Sequence, residues 1–243
     1  MKKLFISCVA LLSVCLSAVA QETAEETKAK VEVNAGADLV SGYLWRGQHL
    51  SGAAFQPTLG FGVGGFSLAA WGSIDFKNEA HEFDWVAAYS FDKIGLSIAV
   101  TDYYGLFHGK NAADGNIWDG DVLVKYGNYD NHILEGTVGY DFSAVCNKFA
   151  LTLAVNVNMV NDDDHSTYIE LGYPVKTDLV NLDFAVGLTP AEGAYSDNFN
   201  IVNISIKGTK ELEFSPKFSL PVFAQAVLNP NKEQCSIIFG ASF

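Results

Sequence analysis

The sequence places an apolar residue at every second position in one segment after another, and most segments run for ten to twelve residues. In "FALTLAVNVNM" (149–159), large apolar side chains alternate with small or polar ones. A period of two is the spacing of a β-strand, whose successive side chains point to opposite faces of a sheet. The chain therefore predicts long strands that each have one apolar and one polar face.

Twelve such segments follow one another, and no helical period interrupts them. Turn residues separate most of them, as at Gly64-Gly65, Asp92-Lys93 and Asn229-Pro230-Asn231. The predicted segments are 31–45, 54–64, 66–76, 82–91, 94–104, 131–142, 149–160, 166–175, 179–189, 198–208, 217–228 and 234–243. The sequence therefore predicts a single all-β domain over residues 31–243.

Segment length and the polarity of the second face separate a soluble sandwich from a transmembrane barrel. Strands of soluble proteins usually have about five or six residues, whereas a tilted membrane strand needs roughly nine to eleven. A barrel with lipid outside and water inside accepts the repeated Asp, Glu and Asn that a dry sandwich core would reject. Aromatic residues near segment ends are typical of membrane interfaces; they are Tyr43, Trp45, Phe76, Tyr103, Tyr104, Tyr173 and Phe218. These features favour a transmembrane antiparallel up-and-down β-barrel in contact with outer-membrane lipid.

Strand number is the least determined part of this prediction. Twelve strands satisfy the even parity of such barrels and bring both chain ends to one side. The stretch "WDGDVLVKYG" (118–127) alternates as well, so fourteen strands are the second choice. Pro57, Pro174 and Pro221 fall inside predicted strands, where they imply bulges or shifted boundaries.

The N-terminal residues have the layout of a secretory signal peptide. Lys2 and Lys3 precede an apolar stretch that ends in Ala18-Val19-Ala20, which predicts a signal peptide over 1–20 and cleavage before Gln21. Residues 21–30 are polar and aperiodic, as in a flexible lead. Loss of the two lysines lowers the net charge from −13 to −15, which argues against nucleic acid as a partner. Cys146 and Cys235 remain, and their pairing stays open.

The C-terminal segment "CSIIFGASF" alternates and ends on the aromatic Phe243. It is similar to the terminal strand that the outer-membrane assembly machinery recognises, although Ala241 is smaller than that pattern prefers. We therefore expect localisation in the outer membrane of a Gram-negative-type cell.

Three motifs could carry chemistry, and each has a simpler interpretation. His49 and Ser51 reproduce the His-x-Ser spacing of outer-membrane lipid A deacylases, but the Asn-Gly pair that follows in those enzymes is missing. "NDDDHS" (161–166) lacks the ligand spacing of a calcium loop, and "GFGVGG" (60–65) is followed by a strand where dinucleotide binding needs a helix. The sequence predicts no catalytic residue, no metal and no cofactor. A lipid-active hydrolase that uses His49 and Ser51 is kept as a lesser alternative.

The polar faces of the strands predict the lining of a lumen. The candidate residues are Glu32, Asp38, Arg46, Asp75, Glu82, Asp84, Glu135, Glu170, Asp183, Lys207 and Gln225. Acids outnumber bases in this set, which favours cationic or neutral solutes over anions. Two interpretations stay open: a narrow channel for small solutes, and a filled barrel that serves a structural or surface-interaction role.

The stretch "SGYLWRG" (41–47), at the end of the first alternating segment, resembles the opening signature of TorF-type porins. The segments "YIELGYPV" (168–175), "GLTPAEGAY" (187–195), "FNIVNISIKGTKE" (199–211) and "FSLPVFAQAVLNPN" (218–231) resemble a related group of outer-membrane β-barrel proteins. The resemblance implies a barrel and a channel role, and it supplies no catalytic residues.

Overall fold

The computed structural model describes residues 30–77, 81–104, 132–146, 149–216 and 218–243. The predicted signal peptide (1–20), most of the lead (21–30) and the segment 118–127 lie outside the described residues. The described chain forms a closed antiparallel barrel of twelve strands, which confirms the predicted fold and strand count. No helix in the described ranges is long and apolar enough to cross a membrane.

The strands are numbered in chain order, and two short ones, β2 and β3, stand apart from the barrel wall. They form a separate hairpin, Tyr43–Trp45 (β2) with Gln48–Ser51 (β3). The wall consists of β1 (Val31–Val40), β4 (Ala54–Val63), β5 (Phe66–Asp75), β6 (His81–Phe91), β7 (Leu96–Tyr104), β8 (His132–Asp141), β9 (Thr152–Val160), β10 (Thr167–Lys176), β11 (Asn181–Thr189), β12 (Asn200–Ser215), β13 (Phe218–Asn229) and β14 (Gln234–Ser242).

The chain enters and leaves the barrel at the same end, which we call the termini end. β1 starts there and β14 finishes there, and the turn Gly64-Gly65 between β4 and β5 lies at the same level. The opposite end, which we call the loop end, carries the β2–β3 hairpin and the segment 190–199.

The two faces of the wall differ in polarity, as the alternation predicts. Large apolar side chains are exposed on the outer face, among them Leu59, Phe61, Leu68, Trp85, Ile98, Val138, Phe184 and Phe239. The inner face carries most of the buried polar side chains, including Gln56, Ser73, Thr101, Thr137 and Asn156. The apolar surface is therefore on the outside of the closed sheet, the reverse of a soluble globular domain.

The barrel closes through a short seam between β1 and β14. The ladder contains Asp38 with Ser242, Leu39 with Ala241 and Val40 with Gly240. Backbone bonds between Ala37 and Phe243 extend it at one end, and the Ser41 amide, which donates to the Phe239 carbonyl at 2.8 Å, extends it at the other. Other neighbouring strands of the wall pair over six or more residues, so the seam is the shortest junction in the barrel.

The prediction of one strand over 31–45 is wrong beyond Val40. The chain leaves the wall at Ser41 and turns into the lumen, so Tyr43, Trp45 and Arg46 belong to the hairpin. Arg46 therefore lies at the tip of the hairpin. Tyr43 and Trp45 are 5% and 2% exposed, which excludes them from an interfacial aromatic belt.

Other aromatic residues divide between the two faces. Tyr103 is 2% exposed and lies opposite Asp84 on the inner face, so it also is not interfacial. Phe76, Tyr173 and Phe218 are exposed as the prediction requires.

Each of the three prolines pairs in the ladder on one side of its strand and lies at a gap in, or beyond the end of, the ladder on the other side, where a missing N–H is tolerated. The β4–β5 ladder skips Pro57, the β9–β10 ladder stops at Gly172 before Pro174, and the β13–β14 ladder starts just after Pro221. The register shifts lie elsewhere, for example at Gly187/Leu188. Cys146 and Cys235 are exposed free thiols.

A two-residue turn at Arg46 and Gly47 reverses the hairpin. Both residues have positive φ, 47° and 80°, as the tight turn of a two-residue β-hairpin requires. A Cβ on Gly47 would lie 1.8 Å from the carbonyl oxygen of Val202 on β12. The turn therefore depends on glycine for its backbone conformation and for its close approach to the wall.

Replacing Gly47 with alanine should destabilise the barrel more than the same change at Gly64. Gly64 also has positive φ (60°), but a Cβ there would meet nothing within 4 Å. Gly64→Ala should therefore cost only the conformational term of about 1–2 kcal/mol, and Gly47→Ala should cost about 1–3 kcal/mol more from the clash. Urea unfolding of both variants in lipid measures the difference; equal losses would contradict the hairpin position.

Candidate functional site: a lumen closed by a hairpin

The β2–β3 hairpin fills the lumen at the loop end. Tyr43 and Trp45 pack in one buried cluster with residues from strands on several sides of the barrel. The other members are Trp71 (β5), Tyr103 (β7), Ile133 (β8), Tyr168 (β10), Val202 (β12) and Tyr195 from the segment 190–199. Leu44 packs against a second cluster that includes Phe223 and Ile238. The hairpin thus contacts the wall on opposite sides and blocks the lumen at this level.

An ion pair joins the tip of the hairpin to the wall. The guanidinium group of Arg46 donates two hydrogen bonds to the carboxylate of Glu135 on β8, one through Nη1 to Oε2 and one through Nη2 to Oε1 at 2.7 Å. The hydroxyl of Tyr103 donates to the same carboxylate at 3.0 Å. The side chains of Arg46 and Glu135 are only 5% and 1% exposed, so both charges depend on each other for compensation.

Aromatic rings surround the guanidinium group. Its carbon lies 4.4 Å from the ring centre of Trp45 and 4.8 Å from that of Tyr168. Arg46 Nη1 also donates to the hydroxyl of Tyr195 at 2.5 Å. Burial raises the pKa of Tyr195 to about 12, although the positive charge of Arg46 acts in the opposite direction. The Tyr195 hydroxyl therefore stays protonated at neutral pH, and the rings add cation–π attraction to the ion pair.

Three further carboxylates lie between the hairpin and the wall. Asp75, Glu82 and Asp84 are 3%, 6% and 2% exposed, and they come from the neighbouring strands β5 and β6. One oxygen of each has no hydrogen-bond partner among the described residues. No salt bridge links them to an arginine or lysine of the described part. This side of the lumen therefore concentrates carboxyl groups that have no cationic partner within the described ranges.

The half of the lumen near the termini end is lined by small side chains. The inner-face residues there that solvent partly reaches include Gly60, Ala69, Ala88, Ala99, Ala154 and Ala185. Small side chains leave space along the axis that larger ones would fill. Solvent therefore reaches part of the inner face at the termini end, whereas the hairpin is buried against the wall at the loop end.

The remaining residues predicted to line the lumen are spread over its inner face. Glu32 is exposed at the start of β1, and Asp38 lies at the seam opposite Ser242. The carboxylate of Glu170 accepts a hydrogen bond of 2.5 Å from the hydroxyl of Tyr168. Asp183, Lys207 and Gln225 occupy one row across β11, β12 and β13. The ammonium group of Lys207 lies 4.0 Å from the ring centre of Phe223.

Sequence reasoning placed both Arg46 and Glu135 in the lumen but missed the aromatic residues that hold Arg46. Tyr168 lies two residues before Glu170 and thus has the same strand parity, so alternation could have placed it inside. Tyr103 alternates in the same way with Thr101. Tyr195 lies in an aperiodic segment, where no sequence signal indicates its position.

The structure does not bring His49 and Ser51 together as a catalytic pair. His49 is exposed and Ser51 is 9% exposed, and the Ser51 hydroxyl has no hydrogen-bond partner within the described ranges. In the loop 161–166, Asp162 accepts hydrogen bonds from Asn158 at 2.7 Å and from the Ser166 amide at 3.1 Å. No group of three potential metal ligands is found in the described part of the chain.

A scan against protein-family models and a search of curated proteins find no match for this chain. The geometry of the site is that of a hairpin in the lumen of a twelve-stranded barrel, with one buried cation at its tip.

Glu135→Gln should release the hairpin. The change leaves the Arg46 guanidinium buried without a counter-charge, and loss of one partner of a buried ion pair costs about 3–5 kcal/mol. Trypsin cleavage after Arg46 should appear in the variant in detergent micelles, while the wild-type protein resists it. Glu32→Gln is the matched control, because Glu32 is exposed and distant from the hairpin tip. Equal resistance of the two variants would contradict the anchoring role of Glu135.

Proposed function

We propose that the protein is an outer-membrane barrel that acts as a narrow channel for small cationic or neutral solutes, with the hairpin controlling passage. The observation that carries this proposal is the difference between the two ends of the lumen along the barrel axis. Solvent reaches small inner-face residues at the termini end, and the inserted hairpin packs against the wall at the loop end. The apolar outer face supports a position in lipid, since a soluble barrel would expose too much apolar surface.

The way the hairpin is connected to the wall favours a hairpin that can leave the lumen over one that fills the lumen permanently. β2 and β3 pair with each other and not with the wall. Val40 and Ala54, which flank the inserted segment, are ladder partners in the wall. The segment can therefore leave the lumen without breaking the β1–β4 ladder, and the Arg46–Glu135 pair is its main polar anchor.

Charge on the inner face supports preference for cations. Glu135 is compensated by Arg46, whereas Asp75, Glu82 and Asp84 have no described cationic partner. Once the hairpin leaves and water reaches these carboxyl groups, they ionise, and their charge favours cations and disfavours anions. The resemblance of residues 41–47 to TorF-type porins supports the same class, and these residues form the start and tip of the hairpin.

A second candidate is a permanently filled barrel with a structural or surface-interaction role. The continuous aromatic packing around Trp45 favours it, because this packing resembles a core more than a gate. The two candidates differ in whether solutes can pass through the lumen once the hairpin is absent.

Deletion of residues 42–51 separates them. The deletion leaves Ser41, Gly52 and Ala53 as a three-residue loop between the paired Val40 and Ala54, a length that hairpins commonly use. In planar bilayers the deleted variant should conduct several-fold more than the wild-type protein, and Glu135→Gln should lie between them. Absence of conductance above background in a folded deletion variant would contradict the channel and favour the filled barrel.

Selectivity is tested in the same bilayers with a salt gradient. The deleted variant should select cations, and the additional changes Asp84→Asn and Glu170→Gln should move its reversal potential toward zero, because they remove negative charge from the lumen. Asp163→Asn, in an exposed loop, should leave the reversal potential unchanged.

A further inference from the structure

The outer face of the described wall strands is almost free of charged residues. Only two of its positions carry Asp, Glu, Lys or Arg: Asp102 on β7 and Lys210 on β12. Asp102 is 6% exposed and lies 2.9 Å from Nδ1 of His132. Lys210 is exposed and forms no salt bridge within the described ranges. A lysine in the column Ile206, Gly208, Lys210, Leu212 therefore stands in an apolar surface without a counter-charge from the described part of the chain.

Lys210 lies two strands from β14, in the same ladder row as a residue pair of the seam. The register connects Lys210 on β12 to Val222 on β13, then to Ala241 on β14 and Leu39 on β1. The neighbouring row contains Gly208, Ala224 and Phe239. Lys210 thus shares one outer surface patch with the short β1–β14 junction.

A groove of about 720 Å³ follows this patch. Its outer-face lining combines the small residues Gly208, Ala224 and Ala241 with larger apolar side chains such as Leu39 and Phe239, and Lys210 is among the lining residues. Short side chains between longer ones produce the depression.

The groove presents an extended apolar surface and one cation, Lys210, near the termini end of the wall. An acyl chain matches the apolar part, because both surfaces leave water on contact. An anionic phosphate matches Lys210, because a lysine on the lipid-facing side of a barrel is costly unless its charge is solvated or paired.

We propose that the seam groove binds one anionic phospholipid of the surrounding membrane. Its phosphate pairs with the ammonium group of Lys210, and one acyl chain lies over Gly208, Ala224 and Ala241. This site rests on the proposed membrane position of the barrel, and it does not depend on whether the lumen conducts. The bound lipid covers the shortest junction in the wall, so it also supports barrel closure.

Native mass spectrometry of the mature chain tests the site, with phosphatidylglycerol or phosphatidylcholine added at equal concentration in detergent. The wild-type protein should retain phosphatidylglycerol over phosphatidylcholine by about five-fold, the preference expected from one lysine near anionic lipid. Lys210→Gln should lose this preference. Lys93→Gln, which removes an exposed lysine from a turn at the same end, should keep it.

Ala224→Phe separates the acyl contact from the charge contact. The new ring would fill the groove on the outer face, so retention of both lipids should fall while Lys210 stays in place. Heat-modifiable gel mobility confirms that each variant is folded. Equal retention of the two lipids by the wild-type protein, or an unchanged preference in Lys210→Gln, would overturn the proposal. So would a dimer that occupies the groove in place of lipid and disappears in Ala224→Phe.

Flotation with phosphatidylglycerol vesicles distinguishes failure of the site from failure of the proposed function. A chain that floats and shows no lipid preference lacks only the groove site. A chain that does not associate with vesicles at all contradicts the membrane position on which both proposals rest.

Discussion

Closure of the sheet is the constraint on which the rest of this structure depends. A barrel pairs the backbone groups of every strand with its neighbours and leaves two surfaces that face different surroundings. The outer surface here is apolar and the inner surface is polar, as the exposed Phe61 and Trp85 and the buried Gln56 and Asn156 illustrate. The three-pair ladder between β1 and β14 is the thinnest part of this closure, so events at the seam affect the whole wall.

The hairpin uses the space that closure creates. Its buried arginine would be unfavourable without compensation, and Glu135, Tyr103, Tyr195 and the ring of Trp45 together provide it. The ion pair fixes the depth and direction of the hairpin in the lumen. Its energetic gain is offset by the cost of removing both charges from water, so it contributes more to the position of the hairpin than to its stability. A closed loop end and a water-accessible termini end follow from one inserted segment, and the proposed control of passage follows from the same geometry.

The strand order and most strand boundaries could be predicted from the sequence, because lipid or a packed exterior on one side and a polar interior on the other impose a period of two along each strand. The same period explains the main error. Tyr43 and Trp45 continue the alternation of β1, yet a hairpin inside a lumen has two environments as well, so alternation alone cannot separate wall from hairpin. Arg46-Gly47 was the available signal, since glycine after a polar residue favours a tight turn. The position of Tyr195 depends on tertiary packing that no local pattern encodes.

The most direct test of the central claim, that lipid meets one face of the wall and water meets the other, is thiol labelling of single cysteines in nanodiscs. In a background with Cys146→Ser and Cys235→Ser, cysteines at three successive positions of β5 (Leu68, Ala69 and Ala70) are treated with a membrane-impermeant maleimide. Ala69 faces the partly hydrated interior, whereas its two neighbours face outward. The account predicts rapid labelling at position 69 and protection at 68 and 70. Labelling at 68 and 70 as fast as at 69 would contradict it.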